Sequence, residues 1–127
     1  MPFTRTGIIL YVRNYPECVA FYSDLLSLRI LFRTPELTCF AFGDTYLMIE
    51  MDDEDTGAEN ERGRPSTCLR MNVPNVRERA DDLIRQGVAV DYREHDWGTV
   101  AKFEDPDGNL CSFKDDEKFE EQVRRFN

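Results

Sequence analysis

Gly7-Ile8-Ile9-Leu10-Tyr11-Val12 and, 61 places along, Cys68-Leu69-Arg70-Met71-Asn72-Val73 are two copies of one pattern. The shift lays Ile8, Leu10 and Val12 over Leu69, Met71 and Val73. It continues past these stretches, with Asn14 over Asn75, Val19 over Ala80 and Tyr22 over Leu83. Apolar residues alternate within each stretch and then recur at helical spacing, so both halves read as strand followed by helix. In the second helix Asn75 is the N-cap, Glu78 stands where a capping box needs it and Gly87 follows the end; the apolar stripe is Val76, Ala80, Leu83 and Ile84. The first helix begins near Pro16, with Glu17 in the dipole-favoured first turn and a stripe of Cys18, Val19, Tyr22, Leu25 and Leu26.

Short strand-like runs follow each helix, at 28–33, 38–42 and 46–51 in the first half and at 88–92, 100–104 and 110–113 in the second. Gly43-Asp44 and Asp105-Pro106-Asp107-Gly108 supply the tight turns between them. Each half is therefore βαβββ, and the expected fold is α+β, two tandem modules in one domain over 1–127. Module 1 spans 1–51, a polar linker 52–66, module 2 67–114 and a C-terminal helix 115–127. The linker is rich in Asp, Glu, Gly and Arg and is long for a compact domain, which makes it a mobile connection or a lid. The last helix carries Phe119, Val123 and Phe126 on one face, with acidic residues first and Arg124-Arg125 last, as the helix dipole favours; it is expected to pack on the domain or on a partner subunit.

A chain of 127 residues can bury a core without staples. Its net charge of −9 works against nucleic acid and against anionic lipid, both of which need clustered Lys and Arg. No apolar run approaches the ~20 residues that span a bilayer, and no signal-like segment opens the chain, so a cytoplasmic protein is the expectation. Cys18, Cys39, Cys68 and Cys111 are scattered, with no C-x-x-C pair, and read as free buried thiols.

Tyr11-Val12-Arg13-Asn14 leading into Phe21-Tyr22, then Trp97-Gly98, then Phe103-Glu104-Asp105-Pro106-Asp107-Gly108-Asn109-Leu110 carry a resemblance that covers nearly the whole chain. The chain resembles the vicinal-oxygen-chelate superfamily of glyoxalases, ring-cleaving dioxygenases and bleomycin- or fosfomycin-resistance proteins. The resemblance implies curled mixed sheets with helices on the convex face, a cup on the concave face, and a homodimer. It also implies where metal-using members place their ligands, one on the first and one on the last strand of each module. Here those positions hold Gly7, Glu50, Cys68 and Ser112.

Only Glu50 is a strong donor among them, whereas a catalytic zinc usually needs three protein ligands and hard cations need several oxygens. The sole histidine, His95, cannot supply the pair of imidazoles of a 2-His-1-carboxylate iron centre. No cofactor is expected and a divalent metal is disfavoured. Strand parity points Tyr11, Tyr46, Glu50, Cys68, Arg70 and Ser112 into the cup, with Trp97 at its border as a stacking platform or as a structural element against the 105–109 turn. A buried Arg70 needs a partner, either Glu50 or an anionic ligand group. Two functions follow. One is a metal-independent small-molecule-binding protein; the alternative is a metal-dependent lyase, isomerase or dioxygenase-like enzyme with a rebuilt site, in which Glu50 is the best catalytic candidate.

Overall fold

The computed structural model describes residues 3–52 and 66–127, so the linker reading at 52–66 falls, apart from its two end residues, outside the described residues. Eight strands form one open mixed sheet: β1 (Arg5–Val12), β2 (Ile30–Arg33), β3 (Leu37–Phe42), β4 (Thr45–Met51), β5 (Thr67–Val73), β6 (Asp91–His95), β7 (Gly98–Glu104) and β8 (Leu110–Asp115). Their order is β2-β3-β4-β1-β5-β8-β7-β6. The duplication in the sequence thus becomes a duplication in space. β1 lies parallel to β4, β5 lies parallel to β8, and the antiparallel pair β1–β5 joins the halves, with Gly7 opposite Arg70 and Ile9 opposite Cys68.

Among the described residues three helices cover the sheet: α1 (Tyr15–Ala20), α2 (Val76–Arg85) and α3 (Asp116–Phe126). The parity read from the sequence holds except at Leu69, which was expected under the second helix and is 46% exposed. Ile8, Leu10 and Val12 pack with Cys18, Val19 and Tyr22 of the first helical segment over Phe40, Leu47 and Ile49. Met71 and Val73 pack with Val76, Ala80 and Leu83 of α2 over Ala101 and Phe113. On the opposite, inner face Ile9, Cys39, Tyr46, Met48 and Cys68 form a third cluster, closed by Phe119 of α3. The Asn75 side chain caps α2 by accepting from the Glu78 amide at 3.1 Å, and Gly87 leaves it at φ +92°.

Three of the differences from the reading of the sequence have a clear backbone reason. After Ala20 the first helix widens into a π turn, Phe21–Leu25, in which the Leu26 amide bonds the Phe21 carbonyl. The additional residue rotates the stripe. Leu25 and Leu26 swing to solvent at 73% and 51% exposure, and Leu28 takes the place beside Tyr22. The first strand after this helix begins at Ile30 instead of 28. In the second half the Val88 amide still bonds the Leu83 carbonyl, so residues 88–90 complete the helix exit and β6 starts at Asp91.

The Asp105 turn shows why that stretch is distinctive. One carboxylate oxygen accepts from the amides of Asp107 and Asn109, both at 2.9 Å, and the other accepts from Asn109 Nδ2 at 2.9 Å. Gly108 takes φ +87°, and its amide bonds the Asp105 carbonyl. The Asn109 side chain and then its amide hold the Asp105 carboxyl below the usual carboxylate range. Among the described residues no helix is long and apolar enough to cross a membrane.

Candidate functional site

The inner face is organised around Gly7. Its neighbours across the ladder are Tyr46 on β4 and Arg70 on β5. The Tyr46 ring lies flat over Gly7, so close that a Cβ there would stand 2.4–2.6 Å from three ring carbons. With that clearance the phenol crosses β1 and donates to Asn72 Oδ1 on β5 at 2.7 Å. Asn72 in turn donates to Asp116 of α3 at 3.2 Å, which ties the sheet centre to the helix. Burial pushes the Tyr46 phenol well above its ordinary range, against the opposing pull of Arg70. Phe119 stacks on the outer side of the same ring, with centroids 4.5 Å apart.

Beside this stack Cys68 Sγ and Ser112 Oγ are 3.4 Å apart, both sealed from solvent. Burial likewise drives the Cys39 thiol up to about 12. All four cysteines are free, as the sequence suggested; Cys18 is partly exposed and the others are buried. Arg70 is 7% exposed, its charge opposes the upward shift of the Tyr46 phenol, and its Nε has no hydrogen-bond partner. Among the described residues no salt bridge joins it to Glu50, one of the two partners that the sequence left open. The reason is register. Glu50 lies opposite Tyr11, four strand positions from Gly7, or ~13 Å at the usual rise per residue. Both are half-buried and engaged in contacts.

The residue that sequence reasoning missed is Lys114. It follows Ser112 by two on β8, faces inward opposite Asn72, and is 2% exposed. Its Nζ donates to the Trp97 carbonyl at 3.3 Å and sits 4.4 Å from the centre of the Trp97 ring. Gly98, at φ +141°, makes room for it, since a Cβ there would meet Lys114 Nζ at 2.9 Å and Lys118 Cβ at 3.2 Å. Desolvation, then the Arg70 charge, lowers the ammonium from its ordinary 10.5 to about 7, while Asp115 and Glu50 pull the other way. Strand parity was the available signal; a lysine in a terminal strand is ordinarily read as solvent-exposed.

Trp97, 47% exposed, stacks on His95 at 4.3 Å and borders a cleft of about 170 Å³ against Lys118, Glu121, Gln122 and Arg125 of α3. Its ring contacts are therefore with His95 and Lys114. The seven residues proposed from the sequence divide into connected sets. Tyr46, Arg70, Cys68 and Ser112 adjoin one another at the sheet centre, Tyr11 and Glu50 pair at one end, and Trp97 connects to the rest through Lys114.

This topology and duplicated inner face match known proteins. A sequence profile of the glyoxalase/bleomycin resistance protein/dioxygenase superfamily matches residues 5–113. The chain belongs to that superfamily. A Bacillus subtilis (strain 168) relative, the uncharacterized protein YraH, is 31% identical over 116 residues, covering 81% of this chain and 91% of its own. Among solved structures, a superfamily member from Vibrio splendidus 12B01 superposes with a TM-score of 0.66 at 14% identity, covering 87% of this chain and 97% of the other. The hypothetical protein BH1468 from Bacillus halodurans C-125 gives 0.66 at 18% identity, covering 88% and 91%. At these identities the structural likeness speaks for the fold alone.

The donor set at the superfamily's metal positions does not fit a divalent ion. Gly7 offers no donor and lies beneath the Tyr46 ring. Cys68 and Ser112 bond each other, and Cys68 belongs to the apolar cluster that Phe119 closes. Among the described residues no three His, Cys, Asp or Glu side chains are grouped as a metal would need.

Proposed function

We propose that this protein is a metal-independent small-molecule-binding member of its superfamily, with the ligand held on the inner face of the sheet. The observation that carries the reading is the fate of the Gly7 position. The place of a metal donor is filled by the Tyr46 ring, and that ring is locked by its hydrogen bond to Asn72 and by Phe119. The ligand-binding residues in this reading are Tyr11, Tyr46, Glu50, Cys68, Arg70, Trp97 and Ser112, supplemented by Lys114. Access runs through the cleft between Trp97 and α3. Its 170 Å³ is small beside the ~300–1,000 Å³ of most ligand sites, so the ligand is compact or α3 moves outward to admit it. A homodimer is part of the reading, because the sheet is open, with β2 and β6 as its unpaired edges among the described residues.

Dialysis of the purified protein against zinc, manganese, nickel and ferrous iron, followed by elemental analysis, tests metal independence. The expected result is no stoichiometric retention of any of them. One equivalent retained, and lost in Glu50→Ala, would instead support a lyase, isomerase or dioxygenase-like enzyme with a rebuilt centre. Light scattering coupled to gel filtration tests the dimer.

A further inference from the structure

We propose that the inner face of the second half binds an oxyanion group of the ligand, a carboxylate or a phosphate, between Arg70 and Lys114. This rests on the small-molecule reading above and adds the chemical class that the site takes. Arg70 and Lys114 occupy adjacent parallel strands. Arg70 is in register with Ser112, and Lys114 is two residues beyond it on the same face. Both cations are more than nine-tenths buried, and among the described residues neither forms a salt bridge. Two like charges held side by side away from water are costly unless an opposite charge joins them.

The hydrogen-bonding inventory points to the same place. Arg70 Nε has no hydrogen-bond partner, the one such atom among the buried side-chain nitrogens and oxygens described. Lys114 Nζ bonds a carbonyl, a neutral acceptor, and Asp115 and Glu50 offset its charge only in part, with no salt bridge to it among the described residues. The carboxylates close in sequence are committed to other donors. Asp115 accepts from the Lys118 amide at 3.3 Å as the cap of α3, and Asp116 accepts from Asn72. A guanidinium fork, a primary ammonium and the Ser112 hydroxyl form a donor set matched to a carboxylate or phosphate. Trp97, which walls the solvent cleft, is also the ring against Lys114 Nζ, so a single side chain separates the cleft from the proposed site.

The chain has a single tryptophan, so the indole N–H signal of Trp97 reports on this site without ambiguity. Titrating the full chain at constant ionic strength with benzoate, phenyl phosphate and neutral benzamide is the test. The expected result is a saturable shift with benzoate or phenyl phosphate and none with benzamide; the tighter of the two anions identifies the group. Arg70→Gln and Lys114→Met should each weaken that binding at least tenfold. Arg70→Lys, which keeps the charge, should retain most of it and stands in where Arg70→Gln fails to fold.

A second readout separates binding from mere structural support. Lys114 is faced by Arg70 from β5, Glu50 from β4, Asp115 from β8 and Lys118 from α3, and an added anion favours its charged form. At pH 8 binding should therefore take up a proton, seen as a dependence of the calorimetric heat on the ionisation enthalpy of the buffer, and Lys114→Met should abolish that dependence. Benzamide binding as tightly as benzoate would overturn the anion site and leave the small-molecule reading standing. No response to any of the three probes would overturn the anion site too, and metal retention in the dialysis experiment would overturn the reading beneath it.

Discussion

On the inner face of the first half, Ile9, Cys39, Tyr46 and Met48 are sealed from solvent and packed on Phe119; on the same face of the second half the strand positions hold Arg70, Asn72, Ser112 and Lys114. The two halves share a strand order and a helix on the outer face, so topology does not account for the difference. The terminal helix α3 does. Its apolar residues Phe119 and Val123 converge on the first half, while Lys118 and Glu121, one turn of polar residues away, face the cleft beside Trp97. Duplication produced two equivalent surfaces. One has become a core, and the other keeps the polar groups that a core would exclude.

The comparison breaks most severely at Phe119. This ring stacks on Tyr46, meets Phe32 edge-on at 5.7 Å and lies under the Arg5 guanidinium, itself paired with Glu120 at 3.2 Å. Phe119→Ala removes the lid of the apolar half and should lower unfolding free energy by about 3–5 kcal/mol, the range for deleting a buried aromatic ring. Urea denaturation measures it. A loss under ~1 kcal/mol would mean that α3 does not hold the first half closed.

Gly7→Ala comes next, because it attacks the same stack from beneath. The added methyl meets the Tyr46 ring and should cost on the order of 1–3 kcal/mol, as overpacking does. In a Tyr46→Ala background the clash is gone, so the Gly7→Ala penalty should fall to a small fraction of that value. Equal penalties in the two backgrounds would show that Tyr46 is not what excludes a side chain at position 7.

The polar half should reveal itself through pH. Lys114 is lowered from 10.5 to about 7, so between those values the unfolded chain holds a proton that the folded protein does not. Stability therefore rises as pH climbs from about 7 toward 10.5, and the destabilisation is fully present below about 7. Lys114→Met should be at least as stable as the parent at pH 6 and should lose that rise. Parallel stability-versus-pH curves for parent and variant over this window would rule out a neutralised Lys114.

Much of this was legible because it follows periods. Alternation placed Ile8, Leu10 and Val12 on the outer face and Arg70 on the inner one, and capping chemistry at Asn75 and Gly87 set α2. What escaped depends on non-local packing. Gly7 read as a lost donor, although its small size is what admits Tyr46; nothing local joins residue 7 to residue 46. The stripe on α3 showed that the helix would be covered and left open by what. Lys114 lies at the end of a strand where an exposed lysine is ordinary, and its burial depends on Trp97 and Gly98 arriving from the neighbouring hairpin.

The smallest difference between the halves sits at their equivalent asparagines. Asn75 has extended backbone angles and its side chain caps α2. Asn14, its counterpart 61 residues earlier, has φ −98° and ψ 64°, makes no side-chain cap, and donates instead to the Glu17 carboxylate. An N-cap asparagine contributes ~1 kcal/mol over alanine, whereas an exposed side-chain pair on a short helix contributes a few tenths. Asn75→Ala should therefore cost about 1 kcal/mol, and Asn14→Ala distinctly less. Because α1 begins with Pro at a first-turn position, one of its orphan amides is already absent, which reduces what a cap there could satisfy. Equal losses on thermal unfolding would show that the two strand-to-helix junctions are energetically alike despite their different backbone geometry.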